Sequence, residues 1–409
     1  MDQAEPIAEN RVLTFHATRM SFARLLFINS LLTLVTIGIY RFWAKTAVRR
    51  YFWRNVSFLD DPLEYTGTGG ELFVGFLIVL AILFPLGLIY SAIGSVVPPD
   101  NQGLRVGLEI AYYIVLFALL QIGFYRMWRY RMSRTRWRGV RFGLDGSTWA
   151  YLKLASGWIL LSVITLGAAY PWMKIDLWRY QVRHTRLGTE SCRFEGDARA
   201  LWLPWLPVFI AIVCTVAAII TSITLFGINP GASVSALPKD QQSSFFYMLV
   251  TVLITDILGA LAFFYYRVRQ ARLQISGLRI GAASFSSRLP FWRLFVFGII
   301  SVLLIVLALA GPFALNYGLL THSGADGTAG AINPHLLGTL FGSIALSVVV
   351  FVVAIPVVWA ILFGFEVIKQ MVITTHIDNP QAIEQAAQSR ADAPRTGEGL
   401  ADALDIGGF

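Results

Sequence analysis

The chain has 409 residues, 56% of them hydrophobic and only 14% charged, with a mean hydropathy of +0.63 and a formal net charge of +9. That balance lies far to the apolar side of a soluble globular chain and excludes a protein solvated by water alone. Two cysteines, Cys192 and Cys214, exclude a disulfide framework, and neither has metal-ligand spacing around it, so both are expected as free thiols.

Along the chain, the first ten residues are polar and carry acids, and no basic n-region or small-residue cleavage site follows, so no removable leader is expected. Crossing a bilayer as a helix takes about 20 mostly apolar residues. Eight runs approach or exceed that length, at 22–40, 72–97, 104–124, 152–170, 201–227, 243–266, 291–318 and 335–365. None shows the two-residue alternation of an outer-membrane barrel, and in hydrocarbon the backbone must then be satisfied inside helices. The expected fold class is an all-α integral membrane protein, a polytopic helical bundle built from an internal duplication with basic amphipathic cytoplasmic helices. Five parts follow: an N-terminal segment at 1–21, a first repeat at 22–141, a second at 142–289, a final transmembrane pair at 290–377 and a tail at 378–409. From Asp378 onward the chain carries six acids against two arginines with no apolar periodicity, which predicts a disordered tail.

Charge sets the expected orientation. Of 33 Lys and Arg residues, 25 fall in four short stretches, 41–54, 126–153, 174–199 and 267–293, whereas 98–103, 228–242 and 319–334 together hold only Lys239. Loops rich in Lys and Arg stay in the cytoplasm, so the four stretches and the C-terminus are expected there. A single run, 152–170, separates two basic stretches, and 22–40 also has basic residues on both sides. If these two shortest runs re-enter or lie along the surface, six crossings keep every basic stretch inside; the other topology has eight full crossings.

A repeat is legible at a constant offset of 129 residues. Thr36, Gly38, Trp43, Lys45, Arg50, Tyr51 and Arg54 recur as Thr165, Gly167, Trp172, Lys174, Arg179, Tyr180 and Arg183, and EYTG at Glu64 corresponds to RFEG at Arg193. Seven identities in order point to duplication. The segments GIYRFWAK at Gly38, LEYTGTGGELFVGF at Leu63, RYRMSRTRWRGVRFGLDG at Arg129, PWMK at Pro171 and RHTRLG at Arg183 resemble the YjgN-like family of bacterial inner-membrane proteins, from about Phe15 to Phe313. The resemblance implies an inner-membrane location; the family is of unknown function, so it carries over no catalytic or ligand-binding residue.

Two constellations are candidates for function. Arginines alternate with aromatic residues in the basic stretches, and guanidinium forks suit phosphate, so Arg49, Arg50, Arg54, Arg134, Arg136, Arg138, Arg179, Arg183 and Arg186 are candidate contacts to anionic phospholipid headgroups. Asp256 lies near the middle of an apolar run, where an ionisable group is costly unless paired, protonated or facing water; Asn29 and Gln121 are candidate polar partners, and Thr251 is the local hydroxyl that would satisfy it in a purely structural role. Glu109, Arg24 and Glu366 lie near run ends, from which they are expected to snorkel. No metal box, nucleophile motif, phosphate loop or dinucleotide fingerprint is present, so neither cofactor nor catalytic residue is assigned, and the charge is explained without nucleic acid. Three functions stay open: transport of a small or amphipathic solute; binding of anionic lipid or organisation of the envelope without transport or catalysis; and, with no nucleophile or acid pair to support it, membrane catalysis.

Overall fold

The structure, a computed structural model, describes residues 12–98, 100–226, 238–323 and 334–384. The described chain forms two compact units, the first from residues up to 143 and 289–376, the second from 144–288 with 377–384.

The first unit opens with β1 (Leu13–Phe15), α1 (Arg19–Val35) and α2 (Arg41–Arg54), then β2 (Val56–Phe58) and β3 (Asp61–Tyr65). It continues through α3 (Gly69–Val96), α4 (Gln102–Arg134), β4 (Thr135–Trp137) and β5 (Val140–Leu144), which runs to the unit boundary. The second unit holds α5 (Thr148–Ile164), α6 (Tyr170–Arg183), β6 (Thr185–Leu187), β7 (Glu190–Phe194), α7 (Trp202–Phe226), α8 (Lys239–Ser276), β8 (Leu278–Ile280) and β9 (Ala283–Ser287). The chain then returns to the first unit with α9 (Phe291–Ser323), α10 (Pro334–Val349), α11 (Ile355–Trp359) and α12 (Phe365–Ile373). Two π-helical segments, Val350–Ala354 and Ala360–Gly364, join these last three helices. β10 (Thr375–Asp378) and α13 (Gln381–Glu384) follow; the remainder of the expected tail, from 385, lies outside the described residues.

The all-α expectation is overturned by these ten strands. Four times a helix runs into a three-residue strand, a two-residue turn and a five-residue strand before the next helix: VSF-LD-DPLEY, TRW-RG-VRFGL, TRL-GT-ESCRF and LRI-GA-ASFSS. Pairing is antiparallel throughout, β1 with β2, β2 with β3, β3 with β4 and β4 with β5 in the first unit, and β6 with β7, β7 with β8 and β8 with β9 in the second. Two-residue hairpin turns need positive φ at their centre, and Leu59 and Asp60 (+48° and +63°) and Arg138 and Gly139 (+47° and +76°) supply it. Strands of three to five residues are too short to display alternation, and their Arg and Thr content blends into the basic stretches. Within the basic stretch 126–153 the helix therefore ends at Arg134 and the chain continues as a hairpin.

Local chemistry makes the helix ends legible after the fact. Thr68 caps α3 with a reciprocal pair of bonds, its hydroxyl accepting from the Glu71 amide and the Glu71 carboxylate accepting from its own N–H. At the ends of α1 and α5 the same device recurs. Thr36 and Thr165 donate their hydroxyls to Leu32 and Leu161 carbonyls, both at 2.8 Å, and the next two residues, Ile37-Gly38 and Leu166-Gly167, are left-handed. That reversal feeds α2 and α6, whose Arg50 and Arg179 donate to the carbonyls of Gly67 (2.8 Å) and Gly196 (3.1 Å), and whose Tyr51 and Tyr180 donate to the carbonyls of Thr18 and Ser147.

In the first unit Phe22, Phe52 and Phe365 form an aromatic core, with ring centroids 4.8 and 5.7 Å from Phe22. Glu71 ties α3 to α4 by accepting from Tyr130 and Arg134, both at 2.6 Å. In the second unit Trp205 stacks on Tyr170 at 4.6 Å and meets Tyr266 edge-on at 4.9 Å, while its indole N–H donates to the Gly167 carbonyl. Among the described residues, six stretches are long and apolar enough to cross a membrane: Gly69–Val96, Gln102–Arg134, Ala198–Thr221, Phe245–Ser276, Phe291–Ala314 and Ile355–Ile373. The helices in the two shortest apolar runs, α1 and α5, have 17 residues each.

Candidate functional site

Asp256 stands 11 residues beyond Phe245 in α8, about 16 Å along the helix at 1.5 Å per residue, roughly half the depth of a hydrocarbon core of about 30 Å. Its Oδ1 accepts a hydrogen bond from the Thr215 hydroxyl of α7 at 2.7 Å. The partner is thus on the neighbouring helix, while Thr251 donates to its own helix at Tyr247. Asp256, which is exposed, and Thr215 lie on an open groove with about 350 Å³ of space, walled by Val208, Ile212 and Phe263. Gly259 belongs to the same wall for a steric reason: a Cβ there would come within 2.7 Å of the Ala211 methyl, so glycine sets how closely α7 and α8 approach. Asn29 and Gln121, the expected polar helpers, are in the first unit. Asn29 is buried and donates to Leu25 of its own helix, and Gln121 is half-buried in α4.

The candidate headgroup arginines divide by partner. Arg49 is buried and donates to the Tyr65 hydroxyl, Arg50 and Arg179 hold glycine carbonyls, and Arg179 also pairs with Asp176. Arg134 pairs with Glu71, Arg138 with Asp61 and Arg186 with Asp145 at 2.9 Å. Arg136 sits in β4 opposite Glu64 and Arg141. Arg54 and Arg183, which end α2 and α6, are exposed and make no hydrogen bond or ion pair among the described residues. Elsewhere on α6, burial and then the nearby Arg267 hold the Lys174 ammonium below the usual lysine range.

A third cluster departs from the sequence expectation. Glu366 does not snorkel; it is fully enclosed at the start of α12. Its carboxylate accepts from Arg19 of α1, from Arg293 Nε of α9 at 2.6 Å and from Gln370 of its own helix at 2.7 Å. The Arg19 guanidinium lies 4.3 Å from the Phe297 ring. Arg19 and Arg293 carry no sequence signal of this role, since they are 347 and 73 residues from Glu366. Among the described residues no group of three His, Cys, Asp or Glu side chains is arranged to hold a metal.

Six membrane-capable helices, short basic hairpins at their ends and a carboxylate within an apolar helix define a polytopic membrane protein. Residues 10–403 match the family described as "Bacterial protein of unknown function (DUF898)", and the chain belongs to that family. It is similar to the inner membrane protein YjgN of Salmonella typhimurium (strain LT2), at 29% identity over 166 residues covering 38% of this chain and 39% of the relative. YjgN of Escherichia coli O157:H7 is 29% identical over 133 residues, 32% of this chain and 31% of that one, and YjgN of Escherichia coli K12 is 26% identical over 156 residues, 38% and 36% respectively. The matches thus span less than two fifths of the relatives' own length. No solved structure matches the chain.

Proposed function

We propose that the protein is a multi-pass protein of the bacterial inner membrane that passes a small amphipathic solute along the α7–α8 groove, with Asp256 as the polar contact at half depth. The observation that carries this is the Asp256 carboxylate itself, bonded to Thr215 on an open groove of about 350 Å³ and belonging to a helix otherwise apolar enough to span. An ionisable side chain at that depth costs about 3 kcal/mol on insertion scales. The groove's volume is in the range of small-ligand sites, about 300–1,000 Å³, and its walls are apolar apart from the Asp256–Thr215 pair, which suits a molecule with one hydrogen-bonding end.

The topology that goes with it has six crossings. α1 and α5, with their left-handed tips at Ile37 and Leu166, enter the bilayer and return, so that the basic hairpins and the C-terminus stay cytoplasmic. The shared 129-residue spacing of caps, turns and arginine-to-glycine bonds supports descent from a duplicated segment.

The test uses purified protein in liposomes loaded with a pH-sensitive dye, under an imposed potential, challenged with a panel of weakly acidic and basic amphiphiles. The reading expects solute-dependent proton movement with the wild type and its loss in Asp256→Asn, which keeps the side chain's shape and its bond from Thr215. Equal movement with the folded variant, or none with any solute in the wild type, would overturn it.

A further inference from the structure

The Arg19–Glu366–Arg293 cluster has one more cation than it has anions, and its two signs are unequally buried. The Glu366 side chain is 1% exposed, whereas those of Arg19 and Arg293 are 37% and 50% exposed. The carboxylate therefore lies behind two guanidinium groups that face outward. Arg293 uses Nε for Glu366, which leaves its two terminal amino groups, and among the described residues they have no other partner. One arginine is enough to neutralise one carboxylate; the second adds charge that only an external anion balances. Lys369, one turn along α12 on the same side as Glu366, adds to the excess.

Position narrows the ligand. Arg293 is two residues into the membrane-capable run that starts at Phe291, and Glu366 is seven residues from the end of the run that finishes at Ile373. Arg293, about 3 Å into its helix, thus lies at headgroup rather than midplane depth with Glu366 about 10 Å inside its own helix end behind it, and the neighbouring Trp292 is 71% exposed, as an aromatic anchor in the interface is. The Phe297 ring against Arg19 keeps that guanidinium flat. Ala360–Gly364, the π-helical turn immediately before Phe365, adds a residue to the turn that presents Glu366, and such turns concentrate at functional sites. Paired planar guanidiniums with free terminal N–H groups are the chemistry that grips a phosphate through several oxygens at once.

We infer that Arg19 and Arg293 bind the phosphate group of an anionic phospholipid or of a free phosphate, with Glu366 as the fixed counter-charge that sets their spacing. This site is independent of the Asp256 groove.

The full-length protein, stripped of lipid in mild detergent, would be titrated with phosphatidylglycerol and, separately, with millimolar inorganic phosphate, and bound species and melting temperature followed by native mass spectrometry and tryptophan fluorescence. Arg293→Gln leaves the Arg19–Glu366 pair in place and should weaken binding about tenfold or more, the loss of one hydrogen bond to a charged group. Arg293→Lys keeps the charge without the fork and should fall between. Lipid retained by the wild type against inorganic phosphate, and lost in Arg293→Gln, identifies a headgroup. Stabilisation by inorganic phosphate alone, absent in the variant, identifies a free phosphate. If Arg293→Lys and Arg293→Gln bind both probes as the wild type does, or the wild type binds neither, the inference is wrong and the second arginine is purely structural.

Discussion

Replacing Glu366 by Gln removes one charge while changing almost no volume, and so isolates what the carboxylate does for the fold. In the wild type it accepts from two guanidiniums and one amide. Gln keeps one carbonyl oxygen for one of those donors and turns an amide N–H toward another. Breaking a fully buried ion pair costs about 3–5 kcal/mol. That range is an upper bound here, because Arg19 and Arg293 are 37% and 50% exposed and their freed guanidiniums can turn toward headgroups or water. Discounting it by about half leaves a loss of about 2 kcal/mol, or about thirtyfold in the folding equilibrium. Unfolding by sodium dodecyl sulfate in mixed micelles, followed by tryptophan fluorescence, measures this directly. Pairing the change with Arg19→Gln should give a smaller total than the sum of the two, because each removes the same contact. Unchanged or increased stability in Glu366→Gln, with additive effects in the double variant, would refute the argument that the cluster is a net attraction.

Three further outcomes are expected. Burial pushes the Cys192 thiol up to about 12, so at pH 8 about one molecule in ten thousand carries the thiolate; water-soluble maleimide should leave it unmodified in the folded protein and label it on denaturation, as peptide mass spectrometry would record. Gly67→Ala and Gly196→Ala should each destabilise by about 1–2 kcal/mol, because the new methyl would stand 2.7 Å from the Tyr65 ring and 2.3 Å from that of Phe194, both rings being buried. Thermal melts should show the Gly67→Ala loss shrinking in a Tyr65→Ala background. Ile37→Gly should raise stability in detergent by about 1 kcal/mol, since a β-branched residue at φ +50° is strained and Ile37 is 93% exposed; no gain in the melting temperature would mean that its side chain is held by something other than the protein.

The long helices were legible because burial in hydrocarbon imposes long apolar runs. The run at 72–97 lies within a residue of the end of α3 and that at 291–318 starts where α9 does. The run at 335–365 gave no hint of its two π-helical segments, which depend on packing rather than on composition. The strands were invisible for a different reason: TRW and TRL look like any basic loop until Trp137 is seen to donate to the Phe58 carbonyl, 79 residues away. Asp256 stood out by its chemistry alone, but its partner Thr215 did not, because hydroxyls are common in apolar helices and donate readily to their own backbone. Glu366 was judged by its distance from a run end, and that criterion fails when two arginines from remote parts of the chain close over it. Likewise the basic stretches advertise charge, yet only the fold reveals that Arg50 and Arg179 are spent on glycine carbonyls while Arg54 and Arg183 face out.

The three-two-five hairpins also limit how the chain can change in length. Adding one residue to either strand would turn all later side chains on it to the opposite face, pulling Tyr65 off Arg49 or Phe194 off Gly196, and lengthening a two-residue turn would cost the twist that keeps the strands paired. Insertions and deletions among relatives should therefore be rare at 56–65, 135–144, 185–194 and 278–287. They should collect instead between the long helices, around 98–103 and 228–242.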